Sequence, residues 1–322
     1  MSTRPILRPA AALLAAALLL TGCAGYDATV VPSAAPETSG SGGGDTTEPC
    51  ENDGSQLASY APRAEAANSA DVEAIRARGR LVAGVAADTE LLAARDARTG
   101  EIVGFDIDLV DAIAAAIFGV PQKQGSKYVE LKVITAAERF TSLQEGSVDV
   151  VVRNTTINCT RWQLVAFSAE YYPAGQKVLV GTDAGIESIE DLADKRICAP
   201  SGTTSIENIQ QIQPDAVPVT AGDNSECMIK FQAGEADGVS TDDTVLAGLA
   251  AQDPYAEVLD TEQLTAEPYG VGVNAQQTDL VRFVNGVLED YVADGRWKQS
   301  YDTWLRPTLG VDVAPPTPVY GR

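Results

Sequence analysis

The sequence predicts an α/β protein of two domains built on open, mostly parallel sheets. Two observations carry that expectation. Strand-like and helix-like segments alternate from about residue 70 to residue 305, the pattern of stacked βα units. The chain also has 322 residues, more than one small core accommodates. With 45% apolar and 21% charged residues, most of it is expected to be globular.

Taken in order, Ala70 to Arg78 reads as a helix, with Ser69 placed to cap its start and Gly79 where it stops. Arg80 to Val85 is a strand. Asp106 to Phe118 is an amphipathic helix, with Ile107, Val110, Ile113, Ala114 and Ile117 at helical spacing and Gly119 and Pro121 ending it. Tyr128 to Thr135 alternates Val129, Leu131 and Val133, so it reads as a strand. Glu138 to Glu145 is a helix, Val148 to Val152 a buried strand, and Gln176 to Gly181 a strand leaving the first region. A second set follows: helix Ser188 to Asp194, strand Arg196 to Ala199, a Gly-Thr turn opening a helix through Gln211, and strand Val217 to Thr220. Helix Glu226 to Gln232, strand Gly238 to Thr241 and helix Asp243 to Ala251 complete it. Tyr269 to Val273 returns as a strand, and helices near Leu280–Asp294 and Trp297–Leu305 close the fold. Pro315-Pro316-Thr317-Pro318 makes residues 311–322 an irregular tail. Ligands of such sheets sit at the carboxyl ends of strands.

The N-terminus points to a compartment. Arg4 and Arg8 precede an apolar run of 11 residues, Ala10 to Leu20, too short to span a bilayer and suited to a signal peptide over residues 1–22. Leu20-Thr21-Gly22-Cys23 resembles the lipobox of bacterial lipoproteins, in which the cysteine becomes the lipidated first residue. Residues 23–64 are then the lipidated N-terminus and a flexible linker, rich in Ser, Gly, Thr and Pro. The expected location is the extracellular face of the cell membrane, anchored through Cys23.

Composition excludes several functions. The formal charge is −22, with 23 basic and 45 acidic residues, so a nucleic-acid partner is not expected. No histidine is present, which removes Ser-His-Asp and Cys-His catalysis and His-ligated metals. No cofactor and no metal are expected, and no P-loop, GxGxxG or HExxH motif occurs. Besides Cys23, four cysteines remain: Cys50, Cys159, Cys198 and Cys227. An even count in an exported chain suggests two disulfides with three alternative pairings. Cys50–Cys159 with Cys198–Cys227 is the expected set. Each of the others ties the early part of the chain to the later part twice and would lock any hinge between them.

Gly104-Phe105-Asp106-Ile107-Asp108-Leu109, running on to Ile117, resembles the signature of solute-binding protein family 3 of ABC transporters. Val148 to Arg161, Ser201 to Ser205, Ala236 to Asp243 and Tyr269 to Val273 agree in order and spacing. The likeness extends over about residues 70–307 and is greatest to the glutamate- and glutamine-binding lipoproteins of high-GC Gram-positive bacteria. It implies a two-lobed, periplasmic-binding-protein-like (type II) fold with a two-strand hinge. Lobe 1 would be residues 65–183 plus 266–310 and lobe 2 residues 184–265, with crossings near Val180–Thr182 and Ala266–Tyr269. The implied protein is a monomeric receptor, not an enzyme. Its partners would be an amino acid and the permease and ATPase subunits of an importer. A sensor signalling through a membrane protein is the alternative on the same fold.

The resemblance also implies site residues. Arg161 matches the arginine that grips the α-carboxylate, and a guanidinium fork suits that group. Thr156 and the backbone at Asn154 match neighbouring contacts. Asp242 matches the aspartate that holds the ammonium, with Asp88 as a second anion. Thr203 and Thr204 lie at a helix start, where an anion is favoured. Arg139 resembles an arginine facing the ligand side chain in binders of acidic amino acids, and Arg153 stands where relatives carry smaller residues. Three arginines against Asp88 and Asp242 leave one positive charge, which favours glutamate or aspartate over glutamine or asparagine. Where relatives sandwich the ligand between aromatic rings, Leu91 and Ala136 stand here.

Overall fold

The computed structural model describes residues 50–322; the signal peptide, Cys23 and the linker up to residue 49 lie outside the described residues. In chain order the strands are β1 (Leu81–Val85), β2 (Asp88–Thr89), β3 (Ala93–Arg95), β4 (Ile102–Val103), β5 (Val129–Val133) and β6 (Val150–Val151). They continue with β7 (Ala166–Gly181), β8 (Arg196–Pro200), β9 (Val217–Ala221), β10 (Gly238–Asp242), β11 (Ala256–Val258) and β12 (Ala266–Val273). The helices are α1 (Ala70–Arg78), α2 (Phe105–Phe118), α3 (Arg139–Gln144), α4 (Cys159–Trp162), α5 (Ser205–Ile212), α6 (Asn224–Gln232), α7 (Asp243–Ala250), α8 (Thr278–Ala293), α9 (Arg296–Trp304) and α10 (Arg306–Leu309).

The strand order β5-β1-β6-β12-β7-β10-β8-β9 is carried by two half-sheets that share β7. Residues 166–175 of β7 pair with β12, and Gln176–Val180 pair with β10. The half built on β1, β5, β6 and β12 is the first lobe; the half built on β8, β9, β10 and β11 is the second. The pairing switch at Gly175/Gln176 lies ahead of the crossing expected near Val180–Thr182. The reason is that β7 starts ten residues before the strand read from Gln176. Its first part, residues 166–175, is Tyr- and Ala-rich and carries no alternation that marks a strand. The parallel pairs β1–β5, β1–β6, β8–β9 and β8–β10 are joined by antiparallel β7 and β12, so each half-sheet is mixed.

Local chemistry explains the element ends. Ser69 accepts a hydrogen bond from the Val72 amide, and Gly79 closes α1 at φ 84°. Ser188–Asp194 is not a helix; one 3-10 turn, Glu190–Leu192, stands there. The Asp191 carboxylate accepts from the Glu187 and Ser188 amides and caps the turn, which ends where Ala193 turns extended (ψ 133°) and Asp194 left-handed (φ 60°). The first-lobe core packs α2 and α8 against the sheet, with Ile113, Val110, Leu280 and Val284 buried. Phe105, Tyr172, Trp297 and Tyr301 form an aromatic cluster within it, Phe105 edge-on to Tyr172 and Trp297, and Trp297 stacked on Tyr301.

Residues 50–64 are not a free linker. Ser59 is buried and donates to the Phe167 carbonyl, while the Asn285 amide donates to Ser59 Oγ and to the Tyr60 carbonyl. Small polar residues suggested a tether, but their hydrogen bonds are met by the folded lobe. The tail is irregular in backbone yet docked: Ser59 bridges to Tyr320, and the Arg322 guanidinium lies 4.0 Å from the Trp162 ring centroid. Disulfides join Cys50 to Cys159 and Cys198 to Cys227.

Candidate ligand-binding site

Parallel strands deliver loops to one rim, and the chemistry collects there. Asp88 follows β1, the segment Arg153–Thr156 follows β6, Thr203 and Thr204 follow β8, and Asp242 ends β10. The loop after β6 is fixed from below. Asp106, from the Gly-Phe-Asp motif, accepts from the Asn154 amide (3.1 Å) and the Tyr171 hydroxyl (2.9 Å). Asn154 is held at φ 35°, a left-handed conformation that Asn tolerates better than most residues. Burial pushes the Asp106 carboxyl up to about 6, against the pull of Tyr171, the Asn154 amide and Arg153.

Three guanidiniums converge. Arg139, Arg153 and Arg161 are buried at 2%, 2% and 6% exposure. Burial lowers the pKa of each, and Arg161 and Arg153 lower that of Arg139 further. None has a carboxylate within ion-pairing distance among the described residues; the Arg161–Glu170 pair that a surface role would require is not formed. Their hydrogen bonds differ. Arg139 donates Nε to the Ala136 carbonyl, Nη1 to those of Arg153 and Asn154, and Nη2 to that of Gly202 at 2.9 Å. The last bond crosses between lobes. Arg153 donates only Nε, to the Ile134 carbonyl, and Arg161 donates from its side chain only Nη1, to the Thr156 carbonyl. Each therefore keeps N–H groups that no atom of the described residues accepts from. The Arg161 guanidinium also lies 5.4 Å from the Phe140 ring centroid.

On the facing lobe Asp242 is 4% exposed and accepts from the Tyr269 hydroxyl at 2.6 Å. Burial, then Glu267, pushes its carboxyl up to about 7, while the Tyr269 bond pulls it down. Asp243 instead accepts from the Thr244 amide at the start of α7. Thr203 donates to the Pro200 carbonyl and Thr204 to Glu267, so neither hydroxyl caps α5. Asp88 faces the first turn of α6: the Ser225 amide and hydroxyl lie 3.5 Å from its Oδ2 and carbonyl oxygen.

Glu267 escaped the sequence reading. It is 2% exposed, sits where β12 enters the first lobe, and takes hydrogen bonds from Thr156, Thr204, Asn208 and Thr265. Its only sequence signal was a charge beside a short apolar strand. Counting it sets three guanidiniums against three carboxylates, so the single positive charge expected from five residues disappears.

Comparison with known proteins matches residues 81–307 to the family model of bacterial extracellular solute-binding proteins, family 3. The chain belongs to that family. It is 33% identical over 234 residues to the ABC transporter glutamine-binding protein GlnH of Bacillus subtilis, covering 72% of this chain and 84% of that one. It is 30% identical over 218 residues to the glutamate-binding protein GluB of Corynebacterium efficiens, covering 65% and 72%. Among solved structures, the solute receptor for L-cysteine of Neisseria gonorrhoeae superposes with a TM-score of 0.69 at 26% identity, covering 74% of this chain and 95% of that one. The fold is the expected two-lobed α/β architecture, and the protein is an amino-acid-binding receptor of an ABC transporter rather than an enzyme. No helix among the described residues is long and apolar enough to cross a membrane.

Proposed function

We propose that this receptor closes on a dicarboxylic amino acid, glutamate or aspartate, and delivers it to the permease and ATPase of an importer. One observation carries the choice: among the described residues Arg153 and Arg161 are buried without an ion-pair partner, and each keeps unaccepted N–H groups. A buried guanidinium without an anion is costly, and a ligand with two carboxylates supplies one to each. Arg161 takes the α-carboxylate, Arg153 with Asn154 faces the side-chain carboxylate, and Asp242 with Asp88 takes the ammonium. Thr156, Thr203 and Thr204 line the walls. Arg139, whose bonds go to four carbonyls, fixes the rim and reaches the second lobe rather than the ligand side chain. Lobe 1 (65–183 plus 266–310) and lobe 2 (184–265) close by hinge motion, and Cys23 anchors the chain to the outer face of the membrane.

The carboxylate of Glu267 favours a second reading, glutamine or asparagine, because it neutralises part of the positive field at Arg161. Thermal melting against a panel of amino acids decides. A ligand at 100 times its dissociation constant adds roughly 2.7 kcal/mol. Arg161→Ala is expected to abolish that gain for every ligand, and Arg153→Ala to weaken glutamate far more than glutamine. Equal loss on both ligands from Arg153→Ala sinks the dicarboxylate reading.

A further inference from the structure

We propose that Glu267 is the positioning residue that latches the closed receptor and sets how long the ligand is retained; this rests on the amino-acid-binding reading above. Its Oε2 accepts from Thr156 Oγ1 at 2.6 Å and from Thr204 Oγ1 at 2.8 Å. Thr156 belongs to the first lobe and Thr204 to the second, so one oxygen atom ties the two together. Oε1 accepts from Asn208 Nδ2 and Thr265 Oγ1, both at 2.8 Å. A carboxylate offers acceptors only, which matches four converging donors; an amide would turn its own N–H groups against some of them. Bonds to a charged acceptor are also the stronger kind.

The segment Glu267–Tyr269 connects this latch to both charged ends of the site. Thr156, held by Glu267, accepts from Arg161 Nη1 at 2.9 Å through its carbonyl. The Ile157 amide donates to the Pro268 carbonyl at 2.7 Å, and the Tyr269 hydroxyl donates to Asp242 at 2.6 Å. One short piece of β12 therefore sets the Arg161 loop against Asp242. Glu267 stands beside the strand crossing, opposite Ala174, and any opening that moves Thr204 away from Thr156 breaks a bond to its shared oxygen.

The test uses the full chain with glutamate and glutamine as probes, in wild type, Glu267→Gln, Thr204→Val and the double variant. Stopped-flow fluorescence is expected to show dissociation about tenfold faster in Glu267→Gln, with association changed less than about threefold and the same factor for both probes. The double variant is expected to be no worse than Glu267→Gln alone, because both remove one interaction. Small-angle scattering without ligand is expected to show a larger radius for both single variants. Additive effects, a loss confined to one probe, or an unchanged dissociation rate overturn the latch. If no amino acid binds the wild type, the receptor reading fails, and an unchanged radius in the variants then overturns the latch separately.

Discussion

Asp242 links function to a stability cost that can be measured. Its carboxyl is pushed up to about 7 by burial, Glu267 and Asp243. An unfolded Asp titrates near ~3.9. Between roughly pH 4 and pH 7 the folded state holds a proton that the unfolded chain has released, so stability falls as pH rises through that window. The full displacement corresponds to roughly 4 kcal/mol. Lobe opening lets water reach the group, so about 2 kcal/mol is the expected effect at pH 8. Asp242→Asn keeps an oxygen for the Tyr269 hydroxyl and removes the charge. At pH 8 the ligand-free variant is expected to melt roughly 4–8 °C above wild type, at about 2–4 °C per kcal/mol for a chain of this size. At pH 4.5, near the lower end of that window, the difference is expected to shrink to about a quarter of its pH 8 value, and the variant is expected to show no glutamate-induced shift at either pH. Differential scanning calorimetry at the two pH values decides. A variant melting at or below wild type at pH 8, or an equal gain at both, refutes the argument.

Three further expectations follow from geometry. Gly202 sits at φ +75°, and a Cβ there would lie 2.7 Å from the Ala137 Cα on the opposite lobe. Gly202→Ala is expected to weaken ligand affinity more than about tenfold by blocking closure, read by calorimetric titration. Gly104 at φ +141° leaves no room for a Cβ, which would meet the Leu92 carbonyl oxygen at 2.2 Å. Gly104→Ala is expected to cost about 3 kcal/mol or more in urea unfolding. Cys198 and Cys227 are fully buried and close a separation of 29 residues. Replacing both with Ala is expected to cost about 3–4 kcal/mol, read by the same assay.

The legible parts of the fold were those with local causes. The α1 boundaries followed from Ser69 and Gly79, and α2 from its apolar spacing and Gly119. The first ten residues of β7 were missed because Ala166–Gly175 lacks alternation: both faces of the strand are buried. The helix expected at Ser188–Asp194 stops after one turn because Ala193 is extended and Asp194 left-handed, a backbone path that no local residue pattern marks. Of the candidate site, the charged residues were named by the family resemblance, but their hydrogen-bond partners were not. Arg139 and Arg153 look equivalent in sequence. Only the arrangement of the Ala136, Arg153, Asn154 and Gly202 carbonyls separates them.

By itself the sequence determined the α/β class and the absence of histidine chemistry, since composition and periodicity are local properties, and its resemblance to the family named the candidate residues for a zwitterion. Only the tertiary structure decided how many N–H groups of each guanidinium the described residues accept, where β7 changes sheets, and that Glu267 bonds residues of both lobes. Those depend on groups up to 111 residues apart meeting in one buried place, and burial is a property of the packed chain.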